Sequence, residues 1–253
     1  LYELISNFID TNISKFNTPD EITSDFFCLI SLGGDGTLLD SITFIKNKNI
    51  PVLGINTGRL GFLAYSQKTD IETVINEVIN NNFSIETRTI ISITSSHEIN
   101  IENNFALNEF VIQKFYSSSM ITIHTYINSD FLNSYWADGL IISTPTGSTG
   151  YSLSCAGPII HPECKNLVIT PVSPHNLAVR PIIIPDNYKI SVKAESRYNS
   201  ILISLDSRTY IIPPNTEITI AKANFTIKLI KTSSYNYYKT IRDKLMWGID
   251  KRN

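Results

Sequence analysis

The stretch "FFCLISLGGDGTLLDSITFI" (26–45) decides how this chain folds. Its first seven residues are an unbroken apolar run, the pattern of a strand buried in a parallel sheet. Gly33, Gly34 and Gly36 then surround one carboxylate, Asp35. Beyond them Leu38, Ile42 and Ile45 recur at i, i+4 and i+7, which places them on one helical face. Strand, glycine turn and helix in that order read as the first half of a βα unit.

Downstream, "IPVLGIN" (50–56) reads as a second buried strand with Pro51 at its entrance. Thr69 and Glu72 have the spacing of a capping box, and Ile71, Val74, Ile75 and Val78 form an apolar stripe that ends at "NNN" (80–82). This alternation means an α/β region with a parallel sheet. Upstream, Leu1, Leu4, Ile5 and Phe8 have helical spacing. Because a βα fold ordinarily opens on a strand, one is expected before Leu1.

Past about residue 85 the texture changes. "TIISITSS" (89–96), "NEFVIQK" (108–114), "MITIHTYI" (120–127), "YKISVKAE" (188–195), "SILISLD" (200–206) and "FTIKLIK" (225–231) are short, β-branched and partly alternating. They predict a β-rich, sandwich-like region. "YYKTIRDKLMWG" (237–248) returns to helical spacing through Tyr238, Ile241 and Leu245, with Gly248 placed to end the helix.

Composition narrows the function. Of 253 residues, 42% are apolar and 17% charged, an ordinary globular balance. A net charge of -2 offers no basic excess for nucleic acid. No apolar run is long enough for a membrane-spanning helix. Cys28, Cys155 and Cys164 are odd in number and lack metal-type pairing, so they read as reduced thiols in a cytoplasmic protein. No residue cluster reads as a protein-held metal site, and His175 in "SPHNL" reads as a turn or core histidine.

The glycine turn carries the chemistry. Its backbone can approach a phosphate closely, and Thr37 adds a hydroxyl. A carboxylate in a phosphate loop is electrostatically wrong for plain anion binding. It fits a general base that takes a proton from an attacking hydroxyl, so the loop suggests phosphoryl transfer with Asp35 as base. The structural alternative is a tight βα turn with Asp35 as helix N-cap. A second glycine-rich stretch, "DGLIISTPTGSTGYSLSCAGPIIHP" (138–162), offers the hydroxyls of Thr144, Thr146, Ser148, Thr149, Ser152 and Ser154, with Gly147 and Gly150 opening the backbone. It suits a polyhydroxyl or phosphate ligand, and it matches neither the P-loop nor the nucleophile-elbow order. Asn108 and Glu109 head a strand, where an amide can read a purine edge and a carboxylate can hold a ribose diol. Arg59 in "GRLGFL" is a candidate phosphate partner.

Together the motifs resemble the NAD kinase family: "GGDGT" (33–37), "GINTGRLGFL" (54–63), "NE" (108–109), "DGLIISTPTGSTGYSLS" (138–154), "PH.L..RP" (174–181) and the closing "YYKTIRDKLMWG". "GGDGT" is shared with lipid and phosphofructokinase-type kinases, whereas "STPTGSTGYSLS" is far more specific. The resemblance implies a Rossmann-like α/β nucleotide-binding domain (1–85 plus 232–253), with the closing helix packed back on it, and a β-rich NAD-binding domain (86–231). It implies transfer of a phosphoryl group from ATP, another nucleoside triphosphate or polyphosphate, with Mg2+ or another divalent cation, to the adenosine 2′-hydroxyl of NAD. Asp35 would be the proton acceptor, with Gly36 beside the bound NAD. Gly33, Gly34 and Thr37 form the phosphate loop. Asn108 and Glu109 would contact the dinucleotide, and Thr149, Gly150, Tyr151, Ser152, Leu153 and Ser154 would wrap the adenosine. Asp138 would serve a neighbouring subunit's ligand, implying a homodimer or homotetramer; Trp136, Ser173 and Arg208 occupy further ligand-proximal positions. Four of these residues or their neighbours depart from the family pattern: Asp40 and Trp136 stand where many relatives carry cations, Arg208 where a Gln is common, and Gly150 where an alanine is. Two rivals stay open. A lipid kinase would need an apolar pocket near the glycine loops, where no richness in exposed aromatics is expected. A nonenzymatic dinucleotide sensor would gain little from Asp35.

Overall fold

The computed structural model describes residues 16–58, 61–116, 119–233 and 235–248. The early strands are β1 (Leu29–Gly33), β2 (Val52–Asn56), β3 (Ser66–Gln67), β4 (Ser84–Ser95), β5 (Phe105–Ala106), β6 (Glu109–Lys114), β7 (Ile121–Ile127), β8 (Asp130–Ala137) and β9 (Gly139–Ser143). They are followed by β10 (Asn166–Val172), β11 (Ile182–Pro185), β12 (Ile190–Glu195), β13 (Ile201–Leu205), β14 (Arg208–Ile212) and β15 (Glu217–Lys231). The helices are α1 (Asp35–Ile45), α2 (Ile71–Ile79), the single turn α3 (Tyr151–Ser154) and α4 (Tyr237–Leu245). Among the described residues no helix is long and apolar enough to cross a membrane.

The strands form two sheets. In the first, β1 and β2 run parallel, and β2 meets β15 in parallel at Leu229↔Val52. From β15 the sheet continues antiparallel through β12, β7 and β8, while β4 lines the rest of β15. The second sheet, β11-β10-β9-β6-β13-β14, is antiparallel throughout. The α/β and β-rich regions therefore share one sheet, joined by the long β15–β4 ladder.

Period-two alternation builds the core between the sheets. β7, β12 and β13 turn Ile123, Val192 and Ile203 inward, where they meet Phe110, Ile112 and Ile169. In the α/β region Leu38, Ile42 and Ile45 are fully buried against Val52, Leu63, Ile90 and Leu229. At about 1.5–3 kcal/mol per buried side chain, that stripe seats α1 on the sheet. On α2, Val74 and Val78 meet Leu53, Ile55 and Ile230, whereas Ile71 remains exposed.

Several expectations need correcting. Ile30 and Leu32 on β1 are exposed, so the apolar run is not a strand buried on both faces: among the described residues β1 pairs only with β2. Phe16, Leu29, Leu32 and Phe44 line a groove of about 420 Å³ next to Thr37 and Asp40, so exposed aromatic surface does lie near the glycine loop. The Thr69–Glu72 capping box does not form, because a 3-10 turn at Lys68–Asp70 makes Asp70 the cap residue of α2. α4 ends at Met246, which takes the left-handed conformation two residues before Gly248. The helical spacing over residues 1–8 lies outside the described residues.

Candidate active site

The glycine turn runs directly from β1 into α1. Gly34 occupies the N-cap position and Asp35 is the first helical residue, so Asp35 does not cap its own helix. Its carboxylate reaches the segment after β2 instead. Oδ2 accepts from the Phe62 N–H (2.7 Å), and Oδ1 from the N–H groups of Leu63 (3.0 Å) and Ala64 (3.2 Å). Gly61 makes this approach feasible, since a Cβ there would lie 1.9 Å from Asp35 Oδ1. Lys244 of α4 brings its ammonium to 3.6 Å from Oδ2 and 4.7 Å from the Phe62 ring centre. Among the described residues, chain neighbours and the helix's own backbone aside, no atom lies within 4 Å of a Cβ built on Gly34 or Gly36. Leu38 N–H makes the first helical bond, to Gly34 O (3.2 Å), which leaves the earlier N–H groups of α1 outside that ladder. Arg59 lies outside the described residues.

A second cluster forms where β6 begins. Asp206, in the β13–β14 turn at φ 53°, accepts from the N–H groups of Leu107 (2.9 Å), Asn108 (2.8 Å) and Glu109 (3.1 Å). The hydroxyl-rich loop wraps the other side. Thr144 Oγ1 donates to Leu107 O (2.5 Å), and Thr144 N–H to Asn108 O (2.9 Å). At Gly147 a Cβ would lie 2.2 Å from that same Asn108 oxygen, so only glycine lets the two backbones meet. Asn108 Oδ1 and Glu109 Oε2 are buried and have no hydrogen-bond partner among the described residues. Burial, with the nearby Asp206 charge, pushes the Glu109 carboxyl up to about 8 against a downward pull from the Tyr151 N–H. Each of these buried polar atoms lacks the hydrogen bond that such atoms ordinarily have.

The loop hydroxyls are less available than their number suggests. Ser148 Oγ donates to Pro145 O (2.7 Å) and accepts from Ile160 N–H (3.0 Å). Ser152 Oγ is buried against Thr170 Oγ1 (2.9 Å), and Thr149 Oγ1 bonds Thr146 O (3.3 Å). These groups build the loop. Tyr151 and Ser154 are exposed and Leu153 and Gly150 half-buried, with Gly150 and the Tyr151 N–H beside Glu109. Arg208 donates to Asn103 O (2.7 Å) and to Phe105 O, with Asp206 at 3.8 Å, so its guanidinium braces the β6 entrance. Asp138 pairs with Lys114 at 2.6 Å. Trp136 is half exposed and lies against His175 (4.3 Å between rings), next to Ser173 at φ 45°.

Two links that sequence reading missed tie the clusters together. Asp40 of α1 accepts from Ser207 Oγ (3.1 Å), beside Asp206. Arg88, fully buried on β4, contacts Glu86 (3.2 Å), Thr146 Oγ1 (3.3 Å) and the Tyr65 hydroxyl. Tyr65 stacks on Tyr235 (3.9 Å), whose hydroxyl is pushed up to about 12 by burial and the Glu86 charge. No local signal marks this network: Glu86, Arg88 and Ile90 share their parity with Ser84, Ser92 and Thr94, and the buried side of β4 changes parity at Ile90–Ile91.

An α/β unit with an open glycine turn and a helix start, fused to a β sandwich that presents unsatisfied buried acceptors, defines a nucleotide-binding kinase. The ATP-NAD kinase N-terminal and C-terminal domain models match residues 10–83 and 107–232. The chain belongs to the NAD kinase family. It is 52% identical over 243 residues to an NAD kinase of Cytophaga hutchinsonii, covering 96% of this chain and 81% of that protein. It is 46% identical over 255 residues to one of Flavobacterium johnsoniae, covering 100% and 86%. Among solved structures, yeast NADH kinase complexed with NADH superposes with a TM-score of 0.81 at 27% identity, covering 89% of this chain and 67% of that one. An Archaeoglobus fulgidus NAD kinase in complex with ATP gives 0.79 at 26% identity, covering 95% and 92%.

Proposed function

We propose that the chain phosphorylates the adenosine 2′-hydroxyl of NAD, giving NADP, with ATP, another nucleoside triphosphate or polyphosphate as donor. The observation that carries this reading is Asp35: a carboxylate on an open phosphate turn, fixed from behind by three N–H groups. The donor's phosphates lie over Gly33, Gly34, Gly36 and Thr37, at the N-terminal end of α1. The ribose enters from the β-rich region (86–231), where Asn108 Oδ1 and Glu109 Oε2 receive its donors and Tyr151 flanks the adenine. The α/β region (1–85 with 232–253) supplies the donor side.

In the reaction the O2′–H bond breaks and its proton passes to Asp35. The O2′–phosphorus bond forms, and the bond from the γ-phosphorus to the β,γ-bridging oxygen breaks, leaving ADP. Among the described residues no three His, Cys, Asp or Glu side chains gather to hold an ion. A Mg2+ therefore fits as a companion of the donor's phosphates, whose charge it neutralises, rather than as a protein-caged ion. Three unpaired cysteines suit a reducing, cytoplasmic setting. Exposed Trp136, next to Asp138, suits a homodimer or homotetramer in which that edge meets a neighbour.

The test is NADP formation from NAD and Mg-ATP, followed through a coupled NADP-dependent dehydrogenase. Asp35→Asn should lower turnover about a hundredfold or more and leave NAD affinity within about tenfold. Unchanged turnover in that variant removes the base assignment, and absence of NADP from the unmodified protein removes the activity.

A further inference from the structure

We infer that Lys244 is a donor-phosphate ligand which, before the nucleotide arrives, is parked on the carboxylate of Asp35. The inference rests on the phosphoryl-transfer reading above and gives a role to a residue of the closing helix to which the motifs assign none. Lys244 lies in the last turn of α4, far from the glycine turn in sequence, and the fold brings its ammonium to the mouth of that turn.

The contact has the marks of a temporary one. Asp35 already accepts three backbone N–H groups, so its oxygens do not depend on the ammonium. At 3.6 Å the pair is an ion pair and not a hydrogen bond. Both side chains are partly exposed, 34% for Lys244 and 26% for Asp35, and pairs so open to water are weak. The Phe62 ring faces the ammonium itself at 4.7 Å, a second weak partner against which several phosphate charges compete strongly. A triphosphate chain over Gly34 and Gly36 carries several negative charges against the single one of Asp35, so it draws the ammonium away. The move also does chemical work. Once the ammonium leaves, Asp35 Oδ2 keeps only the Phe62 N–H as partner, so the side of that oxygen that faced the ammonium is free for the hydroxyl. At the same time the cation comes to face the charge of the transferring group.

Calorimetric titration of the unmodified protein, Lys244→Met and Lys244→Arg, with Mg-ATP and with NAD in separate runs, tests this. Lys244→Met should weaken Mg-ATP about tenfold or more and change NAD affinity by less than about twofold, while Lys244→Arg keeps most Mg-ATP affinity. Undiminished Mg-ATP binding by Lys244→Met, or an equal loss for both nucleotides, overturns the assignment. Should Lys244→Met not fold, Lys244→Gln serves with the same criteria. Because the readout is binding, the two readings fail separately: a protein that binds both nucleotides without making NADP sinks the activity and leaves the lysine test legible.

Discussion

Asp35 and Glu109 carry the same functional group in opposite surroundings. Asp35 is partly open to water and has donors on every side, three backbone N–H groups and an ammonium. Glu109 is buried, has an oxygen with no donor, and sits near the second carboxylate of Asp206. The protein thus completes the shell of one carboxylate and leaves the other wanting. A group whose shell is complete is oriented before any ligand arrives, as a positioned base needs. A group short of donors gains most from a ligand that supplies them, as recognition needs.

The strongest way to break this contrast is through Asp206, which holds the backbone beneath Glu109. Asp206→Ala would orphan the N–H groups of Leu107, Asn108 and Glu109 together. At about 1–3 kcal/mol for each buried donor left unpaired, the expected loss is about 4 kcal/mol or more in urea unfolding. Asp206→Asn keeps an oxygen acceptor and should cost less. A loss below about 1 kcal/mol in Asp206→Ala would mean that these bonds do not hold the β6 entrance.

The next effect is on pH dependence. Glu109 in the folded chain titrates at about 8, above the ordinary value near 4.5. Between those values the folded protein holds a proton that the unfolded chain has released, so stability falls as pH rises through that window and levels off above 8. Asp206 is also raised, chiefly by burial, and adds slope of the same sign from its own ordinary carboxylate value upward. In the ligand-free protein the loss between about pH 5 and 8 should reach about 3 kcal/mol. Glu109→Gln should flatten most of it in melting curves taken across pH; an unchanged slope would place the proton elsewhere.

On the Asp35 side the sharpest intrusion is Gly61→Ala, whose new Cβ would overlap Oδ1. Displacing the carboxylate by about an ångström should lower turnover about a hundredfold, near 2.7 kcal/mol, with NAD affinity nearly unchanged. Equal losses in turnover and NAD affinity would show that the two carboxylates are not the separate devices described here.

Much of this was legible in the chain. The i, i+4, i+7 spacing of Leu38, Ile42 and Ile45 named the buried face of α1, and the alternating segments after residue 85 became strands. Asn108 and Glu109 stood out as strand-head polar residues, and the structure leaves an atom of each without a partner. What stayed hidden depends on tertiary approach. Nothing local to Lys244 points at Asp35, because an ion pair across 209 residues of chain leaves no periodicity. The hydroxyls of Ser148 and Ser152 read as ligand donors because composition cannot tell an available hydroxyl from one bonded to its own loop. Asp206, the last residue of "SILISLD" (200–206), has nothing beside it in sequence to announce the three N–H groups that converge on it, because they lie about a hundred residues away.

The smallest predicted effect concerns how the two carboxylate sites are tied together. One tie is buried: Arg88 joins Tyr65, next to the Asp35 cradle, to Thr146 in the hydroxyl loop. The other is exposed: Ser207 Oγ donates to Asp40 Oδ1. Water competes for the second bond and is excluded from the first, so the buried tie should carry the coupling. Ser207→Ala should therefore cost less than about 1 kcal/mol in urea unfolding and leave turnover within about twofold. A larger loss of turnover with unchanged stability would place the coupling on the surface bond, and Asp40 would then be the partner to vary against it in a double-mutant cycle.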